Sequence, residues 1–260
     1  MNSEIQKSIL LFVTVTILIQ IFYAVTAHSD LSTTRYFPYG YLIHISYYLS
    51  LIVVTFLFVG KFDFAAVGIK RVVAWKKYLL VGLFFALLFY GIRTLVVQGT
   101  FNRSYALPLE LYVPAYLFLG MLIGLGEESA FRGYILRNFL EKYKPILAIL
   151  FSSLLFGIYH INFLDLNFYS LSFWTFYVVQ AFTGGIIMAT LYYKTRGNLI
   201  SSVTYHSSNV IVGQIIPWMP LVDTQYLLGV STIINLILIA ILRFLPINRR
   251  TLEGKQIPKV

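Results

Sequence analysis

Three charged residues stand close together in a strongly apolar stretch: Glu127, Glu128 and Arg132. The stretch covers residues 112–136 and is long enough to cross a membrane as a helix. An ionisable side chain at the centre of a membrane-spanning helix costs roughly 2.5–3.5 kcal/mol on insertion scales, and such residues usually mark a functional site. We therefore predict that this segment carries the chemistry of the protein.

The spacing of the three residues predicts different roles for the two glutamates. Glu128 and Arg132 are four residues apart, with the acid N-terminal to the base, which favours a helical ion pair. Glu127 points about 100° away from Glu128 on the same helix and has no evident local partner. A carboxylate in a poorly hydrated cavity is suited to general-base catalysis. A polar cluster with a purely structural role is the alternative.

Two histidines in later apolar segments supply further groups that hydrolysis would need. His160 ends the fifth segment. His206 lies inside the seventh, with Ser202 one turn before it and Asn209 about one turn after it, and this polar stripe must face away from lipid. At 1.5 Å per residue, Glu127 and His206 lie at similar depths and His160 lies somewhat deeper. We expect the acid and the two histidines to converge.

The composition predicts how these segments are held. Of 260 residues, 58% are hydrophobic and only 12% are charged, which indicates an integral membrane protein. We predict an all-α, polytopic bundle of eight transmembrane helices forming a single domain over residues 1–260, with the motifs in 112–216. The first segment is interpreted as a retained helix because no basic cluster precedes it. The approximate spans are 9–26, 41–60, 78–97, 112–136, 145–161, 169–193, 198–216 and 226–245.

Basic residues predict the orientation of the bundle, because Lys and Arg collect in cytoplasmic loops. Both termini should face the cytoplasm, and we attribute the net charge of +10 to this topology and to anionic lipid rather than to nucleic acid. Segment 62–77 is either an interfacial helix or a basic loop on that side. The absence of cysteine excludes disulfides and thiolate catalysis. The basic positions on the predicted cytoplasmic side are Lys61, Lys70, Arg71, Lys76, Lys77, Arg137, Lys142, Lys144, Lys194, Arg196, Arg249, Arg250, Lys255 and Lys259.

The order of the motifs resembles the CAAX protease and bacteriocin-processing (Abi, CPBP) family, which includes the type II prenyl-protein endopeptidases. An EExxxR motif starts at Glu127, an FxxxH motif ends at His160 and a histidine motif holds His206, each on a separate apolar segment. The eight-helix count is also similar. The resemblance implies an intramembrane endopeptidase that cuts a membrane-associated or prenylated peptide without a cofactor. Family breadth and the absence of organellar signals favour a prokaryotic plasma membrane.

The same resemblance implies a role for each site residue. Glu127, with His160, would activate a water molecule for attack on a peptide carbonyl. His206 would stabilise the oxyanion together with a nearby asparagine. Glu128 and Arg132 would hold the site in shape.

The chain departs from the prenyl-protease pattern at the asparagine. That pattern places the asparagine four residues after the histidine, where this chain has Val210, whereas Asn209 follows His206 by three residues. A single imidazole or amide donor about 3 Å from the developing oxyanion would suffice for stabilisation. The departure argues against a strict prenyl-protease assignment more than against proteolysis.

Three alternatives stay open at the level of the sequence. Zinc bound by Glu127, His160 and His206 would make the protein a metalloprotease, although the sequence has no HExxH motif. A non-catalytic immunity or regulatory protein could use the same fold. A transporter could use the intramembrane acids as a proton relay, although no half-to-half repeat is visible.

Overall fold

The computed structural model describes residues 3–28, 39–60, 62–69, 75–96, 109–163, 170–215 and 224–244. Within these ranges the chain is helical with connecting turns and has no strand, so the predicted all-α class is confirmed. Eight helical rods follow one another, as predicted. They are α1 (Ser3–His28), α2 (Tyr39–Val59), α3 (Trp75–Val96), α4 (Leu109–Glu128, continued by a π-helical segment, Ser129–Leu136, and by Arg137–Leu140), α5 (Pro145–Tyr159), α6 (Leu171–Lys194), α7 (Ile200–Ile215) and α8 (Thr224–Phe244).

Five of the rods, α1, α2, α3, α6 and α8, are long and apolar enough to cross a membrane. The other three, α4, α5 and α7, are those that carry the predicted site residues. α5 has 15 residues and ends at Tyr159, two residues earlier than predicted, so it is about 22 Å long and shorter than a typical hydrocarbon core of about 30 Å. The bundle is therefore a polytopic membrane protein in which the predicted site residues lie on or next to helices other than the five long apolar ones.

The fourth rod differs from the predicted uninterrupted α-helix. It is α-helical only to Glu128 and then π-helical over Ser129–Leu136, and all eight residues of the π-helical segment are buried. A π-helical turn is rare and is frequently found at functional sites. The wider turn is accompanied by a close approach at Gly133, where an added Cβ would lie 3.0 Å from the Cβ of Val67. Hydropathy periodicity does not distinguish a π-helical turn from a continued α-helix in this apolar stretch.

Residues 62–69 pack onto this rod as a series of turns, so the interfacial helix considered for 62–77 is wrong over that part. A side-chain nitrogen of Arg137 donates a hydrogen bond to the Ala66 carbonyl at 2.6 Å. The Leu199 amide donates to the Gly68 carbonyl at 3.0 Å. The loop thereby joins the end of α4 to the connection between α6 and α7.

The start of α1 lies at the same end of the bundle, because Asn138 donates a hydrogen bond to the Ser8 hydroxyl at 3.0 Å. Four regions that the basic residues assign to one side of the membrane therefore meet at one end. They are the N-terminal end of α1, the 62–69 loop, the α4–α5 connection and the α6–α7 connection. That this end faces the cytoplasm stays a prediction.

Two glycines four residues apart, a spacing typical of closely packed membrane helices, allow α4 to pack closely on α7. An added Cβ at Gly124 would lie 3.1 Å from both the Ser207 amide nitrogen and the Val203 carbonyl oxygen. At Gly120, one turn earlier, it would lie 3.3 Å from the Ser207 carbonyl oxygen. This contact brings the helix of the two glutamates against the helix of His206.

We predict that Gly124→Ala destabilises the protein by about 1–3 kcal/mol, because the new methyl group must separate two packed helices. Gly91→Ala is the matched control, since an added Cβ there has no neighbour within 4 Å. Thermal unfolding of the purified protein in detergent should show a lower midpoint for the first variant and an unchanged or higher one for the second. Equal midpoints for the two variants would contradict the packing described.

Candidate active site

A buried ion pair organises the site. A terminal nitrogen of Arg132, Nη1, donates to Oε1 of Glu128 at 3.0 Å, and both side chains have no exposed surface. Nη2 of the same guanidinium donates to the carbonyl of Gly185 on α6 at 3.0 Å. The guanidinium also lies over the ring of Phe156, 4.3 Å from its centroid, in cation–π geometry. The pair that the i,i+4 spacing predicted is present, and it links α4 to α5 and α6.

His206 contacts the same carboxylate oxygen. Its Nδ1 atom lies 3.0 Å from Oε1 of Glu128, and because an ionised carboxylate only accepts hydrogen bonds, Nδ1 must carry the proton. The ring is thereby oriented with its other nitrogen, Nε2, facing Oε2 of Glu127 at 3.7 Å. Glu128 therefore holds the guanidinium on one side and the imidazole on the other.

His160 is oriented by a backbone carbonyl. It follows α5 directly, and its Nδ1 atom lies 2.7 Å from the carbonyl oxygen of Phe156, one turn earlier. A carbonyl only accepts, so Nδ1 carries the proton and Nε2 is an acceptor in the neutral ring. Nε2 lies 3.9 Å from Oε2 of Glu127. The FxxxH spacing thus fixes the ring through the backbone of Phe156 and by ring contact with its side chain.

Glu127 lies between the two imidazoles. It is 3% exposed, and its Oε2 atom accepts no hydrogen bond from the residues that the structure describes. Its distances to the two Nε2 atoms exceed those of direct hydrogen bonds and are in the range over which a water molecule bridges polar groups. A buried acceptor without a donor is uncommon and is typical of a reactive or ligand-binding position. The acid and the two histidines therefore converge, as expected.

Two tyrosines also belong to the site, and the sequence did not reveal them. The Tyr159 hydroxyl lies near the carboxylate of Glu127, and the Tyr47 hydroxyl of α2 hydrogen-bonds that of Tyr159. A carboxylate only accepts, so a Tyr159 hydroxyl that donates to it would accept from Tyr47. The chain has 20 tyrosines, and only the tertiary structure distinguishes these two.

A cavity of about 220 Å³ adjoins both histidines and is also lined by Asn209 and Val210. Asn209 lies beside the site rather than at its centre, next to Tyr205 on the lining of this cavity. Of the six predicted site residues, five lie in one contact network, and Asn209 lines the cavity that leads to it.

Among the described residues, no group of three or more histidine, aspartate or glutamate side chains is arranged to hold a metal ion. The sequence left open a zinc site formed by Glu127, His160 and His206, and the sensitivity of cleavage to a chelator tests it.

The family comparison covers this same part of the chain. Residues 109–212 match the family model described as Type II CAAX prenyl endopeptidase Rce1-like. The match runs from α4 into α7, includes all six predicted site residues and supports the resemblance to the CAAX protease family. No curated protein matches the chain. The long apolar helices describe an integral membrane protein, and the segment that carries the site is similar to a protease family.

The ion pair predicts non-additive stability. Arg132→Met or Glu128→Gln alone leaves a charged group buried without its partner and should each cost about 3–5 kcal/mol. The double variant leaves neither charge and should lose clearly less than the sum. Thermal unfolding midpoints of the four proteins test this, with the exposed Glu4–Lys7 pair as a control in which Lys7→Met has no measurable effect. Strictly additive losses would contradict the pairing.

Proposed function

We propose that the protein is an intramembrane endopeptidase that hydrolyses a peptide bond in a membrane-associated peptide with a water molecule activated by Glu127. One observation carries the proposal: Oε2 of Glu127 is buried, accepts no hydrogen bond from the described residues, and faces the Nε2 atoms of His160 and His206 at 3.9 and 3.7 Å. The match of residues 109–212 to a protease family model supports peptide hydrolysis as the reaction.

The orientation of His160 supports a role in positioning the water. Its Nδ1 proton is donated to the Phe156 carbonyl, so Nε2 is left as an acceptor. A water between this nitrogen and the Glu127 carboxylate would direct one proton to each. Its lone pair would then point away from both groups, toward the carbonyl carbon of a bound peptide.

The chemical step follows from this arrangement. The water oxygen forms a bond to the carbonyl carbon, its proton passes to the Glu127 carboxylate, and the carbonyl electron pair moves onto oxygen to give a tetrahedral oxyanion. The oxyanion then collapses, the C–N bond breaks, and protonated Glu127 returns the proton to the leaving nitrogen. One water is consumed, and the products are a carboxylic acid and an amine, which become a carboxylate and an ammonium group when the acid's proton passes to the amine.

His206 is the proposed oxyanion donor. Its Nδ1 proton is donated to Glu128, so a second proton on Nε2 would make the ring an imidazolium that can donate to the oxyanion. Two carboxylates, one guanidinium and one imidazolium would leave the group electrically neutral, as burial in a membrane protein favours. Asn209 would have to move from the lining of the adjoining cavity to assist.

The nature of the substrate and the compartment belong to the same proposal. A cavity reaches the histidines from within the bundle, which supports a peptide held at the membrane, either prenylated or carrying an apolar segment. We place the protein in a prokaryotic plasma membrane, with no bound cofactor and with the loop end of the bundle facing the cytoplasm.

We predict that Glu127→Gln and Glu127→Ala lower kcat/KM by about 10²–10⁴-fold, because general-base catalysis of this size is lost with the carboxylate. The assay follows cleavage of a farnesylated CAAX peptide and a panel of leader peptides by purified protein, with and without a chelator. Glu141→Gln is the matched control, since this carboxylate is exposed at the α4–α5 connection and should be dispensable.

Each other result has a distinct meaning. Cleavage that a chelator abolishes would move the assignment to a metalloprotease. Cleavage that persists in both Glu127 variants would exclude this residue as the base. A panel left uncut by every form of the protein would favour the non-catalytic, binding role.

We predict that Tyr159→Phe lowers kcat about 10–100-fold with little change in KM, because the variant loses a hydroxyl near Glu127 that can donate a charge-assisted hydrogen bond to its carboxylate. Tyr47→Phe should have a smaller effect in the same direction, since Tyr47 reaches the carboxylate only through Tyr159. Steady-state kinetics of both variants on the best peptide of the panel provide the measurement. A change confined to KM would show that the tyrosines serve packing instead.

A further inference from the structure

One residue that lines the cavity beside the histidines lies beyond the family match. It is Asn235 of α8, which lines the cavity together with Gln180 of α6 and Asn209 of α7. Asn235 is 1% exposed and stands in a helix that is apolar enough to cross a membrane. A buried amide within a membrane bundle is costly unless it is hydrogen-bonded or functional.

Only one half of this amide is used by the fold. Its nitrogen, Nδ2, donates to the Gln180 carbonyl at 3.3 Å and to the Thr183 hydroxyl at 3.1 Å. A backbone carbonyl only accepts, so these contacts determine which end of the amide is nitrogen and which is oxygen. Oδ1 of Asn235 is buried and accepts no hydrogen bond from any residue that the structure describes.

Asn209 lines the same cavity, and its Oδ1 atom is also buried without a hydrogen-bond donor among the described side chains and amides. Two carbonyl oxygens without donors therefore belong to residues that line one cavity, next to His160 and His206. The chemistry that satisfies such a pair is a ligand with N–H donors, and a peptide backbone offers one at nearly every residue.

We propose that Asn235, with Asn209, accepts hydrogen bonds from backbone N–H groups of the peptide substrate and holds it beside Glu127. The inference rests on the proposed function and adds a substrate-binding residue that lies outside the matched segment. Binding through backbone N–H groups is independent of the substrate's side chains. Aromatic residues on the remaining walls, Phe89 and Tyr177, supply apolar surface for those side chains.

The experiment measures peptide binding separately from catalysis. The probe is a fluorescein-labelled, farnesylated peptide that ends in Cys-Val-Ile-Met, and its dissociation constant is measured by anisotropy on the Glu127→Gln protein. Analogues of the probe carry an ester in place of one backbone amide, which removes a single N–H donor. We expect one analogue to bind roughly 5–10-fold more weakly than the parent, as the loss of one hydrogen bond predicts.

Variants of the enzyme then identify the acceptor. When Asn235→Leu is added to the Glu127→Gln protein, the parent peptide should bind about as weakly as the affected ester analogue binds to the protein with native Asn235. The ester should then cause no further loss of affinity. Thr183→Val is the matched control, because it removes a partner of Nδ2 and leaves Oδ1 unchanged. It should leave binding unaltered if Asn235 contacts the substrate.

Three results would overturn the inference. The first is that Asn235→Leu weakens the binding of every analogue equally. The second is that Thr183→Val weakens the binding of the parent peptide as much as Asn235→Leu does. The third is that the parent peptide does not bind. Cleavage assays keep the two proposals apart. If the protein with native Glu127 cuts the probe while Asn235→Leu leaves KM and the ester effects unchanged, the proposed function stands and only the role of Asn235 fails.

Discussion

The Arg132 guanidinium lies at the centre of the bundle without exposed surface, and the arrangement of the site depends on how its charge is balanced. Glu128 supplies the opposite charge, the Gly185 carbonyl accepts a further hydrogen bond, and the Phe156 ring covers one face. A buried pair of this kind gains little stability relative to apolar residues but is expensive to break, so it ties three helices to one relative position. Oε1 of Glu128, one atom of this pair, also orients His206.

The pair has a second effect, which is to engage the guanidinium so that the neighbouring acid has no arginine partner. Adjacent glutamates on one helix face different directions, and Glu127 therefore meets the imidazoles of His160 and His206 and the Tyr159 hydroxyl instead of the guanidinium. In a poorly hydrated interior, a carboxylate placed in this way is a strong acceptor of a proton from water. The structural acid and the proposed catalytic acid are thus separated by a single peptide bond.

Much of this arrangement could be predicted from local sequence, because it follows from helical periodicity and from hydropathy. The membrane class, the Glu128–Arg132 pair and the close packing at Gly124 are of this kind. The π-helical turns lie against the 62–69 loop at Gly133, and the contact of Tyr47 with Tyr159 joins helices far apart in sequence. Such features are set by tertiary packing, which periodicity does not encode.

The most direct test of a water activated by Glu127 is a single-turnover reaction in H₂¹⁸O with enzyme in excess over peptide. Mass spectrometry of the released fragment and of the enzyme segment that contains Glu127 locates the isotope. Direct attack by water predicts one ¹⁸O atom in the new C-terminal carboxylate of the product and none in Glu127. An ¹⁸O atom in the Glu127 side chain, with an unlabelled product, would show that the carboxylate attacks the peptide itself and would contradict the account.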